Sequence, residues 1–251
     1  MQSKSAKILT FLEQHEEWNL AFQREELQRH LQHYATPKGR LAALLHLIAY
    51  TQSQPKMEPL AALWERVENH DWHADGPSLA ELVAFFYASP QAPGTATPWD
   101  ALYRGVRAQE GMGEKTAALF VKSIIMLHRS DLQHLYFLRD PLSAQAPVTA
   151  DIIRLPVDAV IRDIFSRHLG QEYKTFSRIN KYLQEHFSPE QILRWDDLWF
   201  WGFFSQRTSS DSPRVTQWNP AKYWCQPSTD KKRIERAEVL CKAFIGLLTA
   251  S

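Results

Sequence analysis

The sequence is poor in cysteine, in long apolar runs and in net charge. Only Cys225 and Cys241 are present, too few for a disulfide scaffold and too few thiolates for an iron–sulfur cluster. No apolar run approaches the ~18–20 residues of a membrane span. The N-terminus, MQSKSAKILTFLEQHEEW, meets charges too early for a secretory signal. These absences lead us to expect a soluble intracellular protein of the cytoplasm or nucleoid, with no membrane partner. Lys and Arg number 29 against 28 Asp and Glu, so no global field draws in nucleic acid, and any such binding needs a local surface. Glycine-rich nucleotide loops and Ser-His-Asp signatures are missing. The pairs His30/His33 and His70/His73 lack the thiolates or acids that would complete a zinc tetrahedron, so no metal site is expected.

What is present is helical patterning. The 251 residues are 44% hydrophobic, with 9 Trp and 13 Phe, enough to bury a sizeable core. Apolar residues recur at spacings of three and four, without strand-like alternation. The pattern predicts helices over 5–34, 38–52, 56–69, 78–89, 99–108, 114–129, 156–168, 172–186, 189–203 and 229–249. SPQAPGTATP (89–98) interrupts it, 205–228 reads as irregular, and no strand pair is evident. The fold class is all-α. The expected organisation is an N-terminal helical region (1–88), a central bundle (99–186) and a C-terminal region (187–251) that packs with the N-terminal part.

The segment WDALYRGVRAQEGMGEKTAALFVKSIIML (99–127) carries the chemistry. Two amphipathic helices are joined by Glu110-Gly111-Met112-Gly113, a spacing that suits a hairpin too tight for a Cβ at both glycine positions. Backbone amides of such a turn form a concavity suited to a phosphate oxygen. That contact positions DNA without reading its bases. An ordinary αα-hairpin with a glycine C-cap explains the same residues.

GMGEKTA resembles the helix-hairpin-helix of DNA glycosylases related to endonuclease III. A second match is Leu155-Pro156-Val157-Asp158-Ala159-Val160-Ile161-Arg162, similar to that family's Val-Asp-x-His-Val-x-Arg segment. Val160 stands where the family commonly has histidine, and Lys115 and Asp158 lie 43 residues apart, a longer interval than usual. The Lys-Thr-Ala-Ala-Leu-Phe-Val-Lys continuation and the absent cluster cysteines look most like the archaeal-type 8-oxoguanine glycosylases. The matches cover roughly 30 residues. The resemblance implies two helical subdomains with an active-site groove between them, and a monomer acting on double-stranded DNA that holds a damaged base. It also implies excision of an oxidised purine such as 8-oxoguanine through a lysine Schiff base, followed by β-elimination. Lys115 would be the nucleophile and Asp158 the carboxylate that stabilises the oxocarbenium-like charge. Gly111, Met112, Gly113 and Arg162 would contact phosphate. No cofactor is required, although the family hairpin can hold a monovalent cation through backbone carbonyls.

Each candidate has a second explanation in the sequence. Asp158 begins a helix and fits an N-cap equally well, with Asp151 and Asp163 as substitutes if the interval misleads. A flipped base needs aromatic walls, for which Phe120, Trp199 and Trp201 are candidates, yet the run Trp199–Phe204 also fits a core helix. The alternative functions are a non-catalytic DNA-binding module of the same hairpin class and a monofunctional glycosylase for another modified base.

Overall fold

Helices start where short polar side chains meet orphan amides. Thr36 accepts from Gly39 N ahead of a proline, Ser78 and Glu81 form a reciprocal capping box, and Asp230 accepts from Lys232 N. The computed structural model describes residues 3–87, 96–146, 148–209, 212–224, 226 and 230–250. The expected break at 89–98 and Cys225 fall largely outside those residues. In chain order come α1 (Lys4–Gln14), α2 (Glu16–Leu31), α3 (Pro37–Ala49), α4 (Met57–Asn69), α5 (Leu79–Phe86), α6 (Pro98–Arg107) and α7 (Glu114–Arg129). Next are α8 (Pro141–Gln145), α9 (Ala159–Ile164), α10 (Phe176–His186), α11 (Pro189–Trp195) and α12 (Asp197–Phe204). The chain finishes with β1 (Gln206–Ser209), β2 (Ser212–Thr216), α13 (Pro220–Trp224) and α14 (Lys231–Thr249). The all-α expectation holds in its coarse form, since helix dominates. Among the described residues no helix is long and apolar enough to cross a membrane.

The antiparallel pair β1–β2 corrects the reading of 205–228 as irregular. Its residues offer no apolar alternation to detect. Buried Gln206 anchors it instead, accepting from Arg214 Nη1 at 2.7 Å, while Gln217 N donates to Ser205 O at 2.8 Å.

The chain divides into two compact units. The central unit is Leu20–Pro156 with Phe187–Leu193, and the terminal unit is Met1–Asn19, Val157–His186 and Arg194–Ser251. These bounds differ from those expected. Residues 20–87 cluster with the 99–127 hairpin because α3 packs on α7, and 157–186 cluster with the C-terminal segment because α9 packs on α12.

In the central unit α7 is buried on most of its circumference, through residues including Ala117, Phe120, Ile124 and Leu127. Helix α6 joins it through Leu102 and Val106. The 130–156 stretch is tied down rather than loose. Val148 N donates to Glu190 Oε1 at 2.8 Å, Arg139 pairs with Glu81 at 2.6 Å, and Asp140 accepts from Leu79 N at 3.0 Å. Asp151 supplies the acceptors for the start of α6, taking hydrogen bonds from Trp99 N and Asp100 N at 3.1 Å and from the Thr97 hydroxyl. In the terminal unit Phe11, Trp18, Trp201 and Phe244 form the aromatic centre. Gly202 lets α12 close on α9, for a Cβ there would stand 2.7 Å from Val160 Cγ1 and 2.6 Å from Ile164 Cδ1.

Candidate functional site

The turn between α6 and α7 is built from one hydrogen bond and one left-handed residue. Met112 N donates to Gln109 O at 3.0 Å, and Gly111 has φ +86°. A positive φ at the third position makes this a type II turn, which asks for glycine there. A Cβ at Gly111 would also press within 3.2 Å of Leu60. Gln52 Nε2 donates to Gly111 O at 3.1 Å, fastening the turn to the end of α3, and the Met112 side chain is buried beneath it.

Gly113 is different. Its φ of −86° and ψ of 178° are open to any L-residue, and a Cβ built on it meets nothing within 4 Å. The expectation that tightness demands both glycines is therefore corrected: only Gly111 is required by conformation. Met112 also changes role. Its side chain is core and its amide is spent inside the turn, so an anion at this hairpin would meet Gly113 and the first turn of α7. That helix has no side-chain N-cap, and the first amide to find a carbonyl is Ala117, which donates to Gly113 O at 2.9 Å. The carbonyls of Gln109, Gly111 and Gly113 each accept a hydrogen bond already, so a cation bound to them would use their second lone pairs.

Lys115 lies in that first turn, half-buried. Its Nζ donates to Thr51 O and to Thr51 Oγ1, both at 3.2 Å. Two neutral oxygens just past the end of α3 thus orient the amine. Nothing in the local sequence announces Thr51, which is 64 positions away.

Asp158 belongs to the terminal unit and caps α9, its Oδ1 accepting from Ile161 N at 2.9 Å. One cation missed in the sequence, Lys222, lies in its electrostatic reach, and a second, Arg214, acts on Lys222. Lys222 Nζ donates to Phe203 O at 2.8 Å and sits 4.4 Å from the Phe203 ring centre. Burial pushes the Lys222 amine below its ordinary range and the Arg214 charge pushes further, while the Asp158 carboxylate opposes both. Arg214 reaches the same corner through Gln206, whose Nε2 donates to Val160 O at 3.3 Å. Both cations come from the 205–228 stretch, where no motif marked them. Val160 is a buried packing residue against Gly202.

The other candidates sort by exposure. Arg162 is exposed on α9. Asp151 is committed to the start of α6 and Asp163 pairs with Arg167 at 2.9 Å. Phe120 is fully buried, edge-on to Phe86 at 5.8 Å. Trp201 is fully buried too, between Phe11 at 5.3 Å and Trp18 at 6.0 Å. Both rings are core, which corrects their assignment to a base pocket: their faces already rest on protein. Trp199 keeps a partly exposed ring, stacked on Phe203 at 5.2 Å and 17°. Compared with models of known protein families, with curated proteins and with solved structures, the chain matches none.

Proposed function

We propose that the chain is a base-excision DNA glycosylase with lyase activity, its Gly111–Lys115 segment acting as a helix-hairpin-helix on double-stranded DNA. The observation that carries this reading is Gly113. Neither its dihedral angles nor any neighbour calls for glycine, and it stands in front of an uncapped helix start of 16 residues. A missing Cβ there serves something that approaches from outside, and a phosphate oxygen is the group that a bare helix N-terminus favours.

In the proposed reaction the neutral Lys115 Nζ attacks C1′ of the lesion nucleotide. The glycosidic C1′–N bond breaks, and the base leaves with the bonding pair and is protonated; the resemblance gives Asp158 the role of offsetting the positive charge on the sugar. Opening of the sugar gives a Schiff base on Lys115. Loss of a 2′ proton then expels the 3′ phosphate. An oxidised purine, with 8-oxoguanine first, is the proposed substrate, on the resemblance of the Lys115–Lys122 string. The second reading, a non-catalytic hairpin module, is favoured by the Asp158 cap, which gives that carboxylate a purely structural reason to be there.

Borohydride trapping decides between them. Duplexes carrying 8-oxoguanine or an abasic site are incubated with the protein and reductant, with Lys115→Ala alongside. A covalent adduct that vanishes in the variant is expected. Intact DNA binding without any adduct overturns the lyase assignment.

A further inference from the structure

Beside the hairpin, in the same unit, three aromatic side chains form a ladder that the chemistry above does not use. His46 and Tyr50 are four residues apart at the end of α3 and share a face. Their rings are nearly parallel, 6° apart with centroids at 6.1 Å, and Trp64 of α4 stacks on His46 at 4.2 Å. Burial lowers the His46 pKa below its usual value, so the ladder is uncharged at neutral pH. Tyr50 ends it with half of its surface exposed. It is held in place as the C-cap of α3, its amide donating to His46 O at 3.1 Å. The next residue, Thr51, receives Lys115 Nζ through two oxygens, and Gln52 after it binds Gly111 O.

We propose that Tyr50, backed by His46 and Trp64, is a stacking platform for an unpaired nucleobase of the DNA engaged at the hairpin. The inference rests on the DNA-binding reading and deepens it. A nucleotide offers a flat π face beside an anion, and this end of α3 sets a flat, neutral π face beside a lysine amine and a bare helix start. Stacking tolerates any base, since every base has a π face. The platform therefore distinguishes unpaired from paired DNA rather than one lesion from another.

The full chain and its Tyr50→Ala, Tyr50→Phe and Tyr50→Trp variants are titrated against three fluorescent duplexes: fully paired, with one bulged adenine, and with an abasic analogue opposite adenine. Tyr50→Ala is expected to bind the two duplexes with an unpaired base roughly 5- to 100-fold more weakly and the paired duplex as before. Phe and Trp should restore binding. In the unsubstituted protein, 2-aminopurine at the bulge should be quenched on binding, a readout that needs no variant. Equal losses on paired and bulged DNA, or no loss at all while Lys115-dependent trapping persists, overturn the platform alone. Absence of any DNA affinity in the unsubstituted chain overturns both the platform and the functional reading beneath it.

Discussion

Two glycines separated by one residue should respond to alanine in opposite ways. At Gly111 the residue sits at φ +86° and the new methyl lies 3.2 Å from Leu60, which is itself fully buried. The left-handed conformation costs an L-residue roughly 1–2 kcal/mol, and crowding a packed leucine adds about 1 kcal/mol. Reduced freedom of the unfolded chain returns about 0.4–1 kcal/mol. The net loss is about 2 kcal/mol, or roughly 4–8 °C in Tm for a chain of this size. At Gly113 there is no strain and no collision. The same return from the unfolded chain is set against a poorer N-cap of about 0.5–1 kcal/mol, so Gly113→Ala should keep its stability within about 0.5 kcal/mol. On the proposed reading, its methyl would nevertheless stand in the path of the phosphate. Losing one hydrogen bond to a charged group, about 1.5–3 kcal/mol, weakens DNA binding roughly 10- to 100-fold. Urea denaturation and fluorescence anisotropy on one duplex measure the two quantities. A Gly113→Ala protein that binds DNA like the parent, or that loses as much stability as Gly111→Ala, refutes the reasoning.

Three other perturbations separate structural from chemical roles. Asp158→Asn preserves an N-cap acceptor while removing the charge, so Tm should stay within a few degrees and base excision should fall; Asp158→Ala should additionally lose about 1 kcal/mol of stability, both read by thermal melts and single-turnover assays. Asp151→Ala strips the acceptors from the start of α6 and should cost about 2–3 kcal/mol by urea denaturation. Burial holds the His128 pKa down at about 4, with Nε2 accepting from Leu138 N at 3.4 Å. The unfolded chain binds the extra proton first, so this contribution is complete above pH 6.5, drains away as pH falls toward 4, and totals about 3 kcal/mol. Urea titrations at pH 7 and pH 4 should show the parent losing about that much more than His128→Gln; equal losses would refute it.

What could be read from the sequence was local. The Ser78 box, the Thr36-Pro37 start, the cap by Asp158 and the place of Lys115 in the first turn of α7 are all set by residues a few positions apart. The break between α1 and α2 at His15 and that between α11 and α12 carry no proline or glycine, so periodicity ran through both. The Trp199–Phe204 run is ambiguous because it is aromatic on every face of α12; burial of Trp201 beside partial exposure of Trp199 follows from which neighbours arrive. Thr51 beside Lys115, and Lys222 between the charges of Asp158 and Arg214, are products of tertiary packing. No spacing rule could have found them.

The Asp151 clamp has a consequence for biosynthesis. Helix α6 cannot finish its own beginning, because the carboxylate that satisfies Trp99 N is 52 residues downstream. At ribosomal rates of roughly 5–20 residues per second the wait is roughly 3–10 s. The Glu190 grip on Arg129 comes later still. The hairpin that begins with α6 is therefore born unfinished, with an open amide end exposed to the nascent-chain environment until its distant acid emerges. The central unit is complete only once Phe187–Leu193 has been made, so its earliest helices wait on its latest residues.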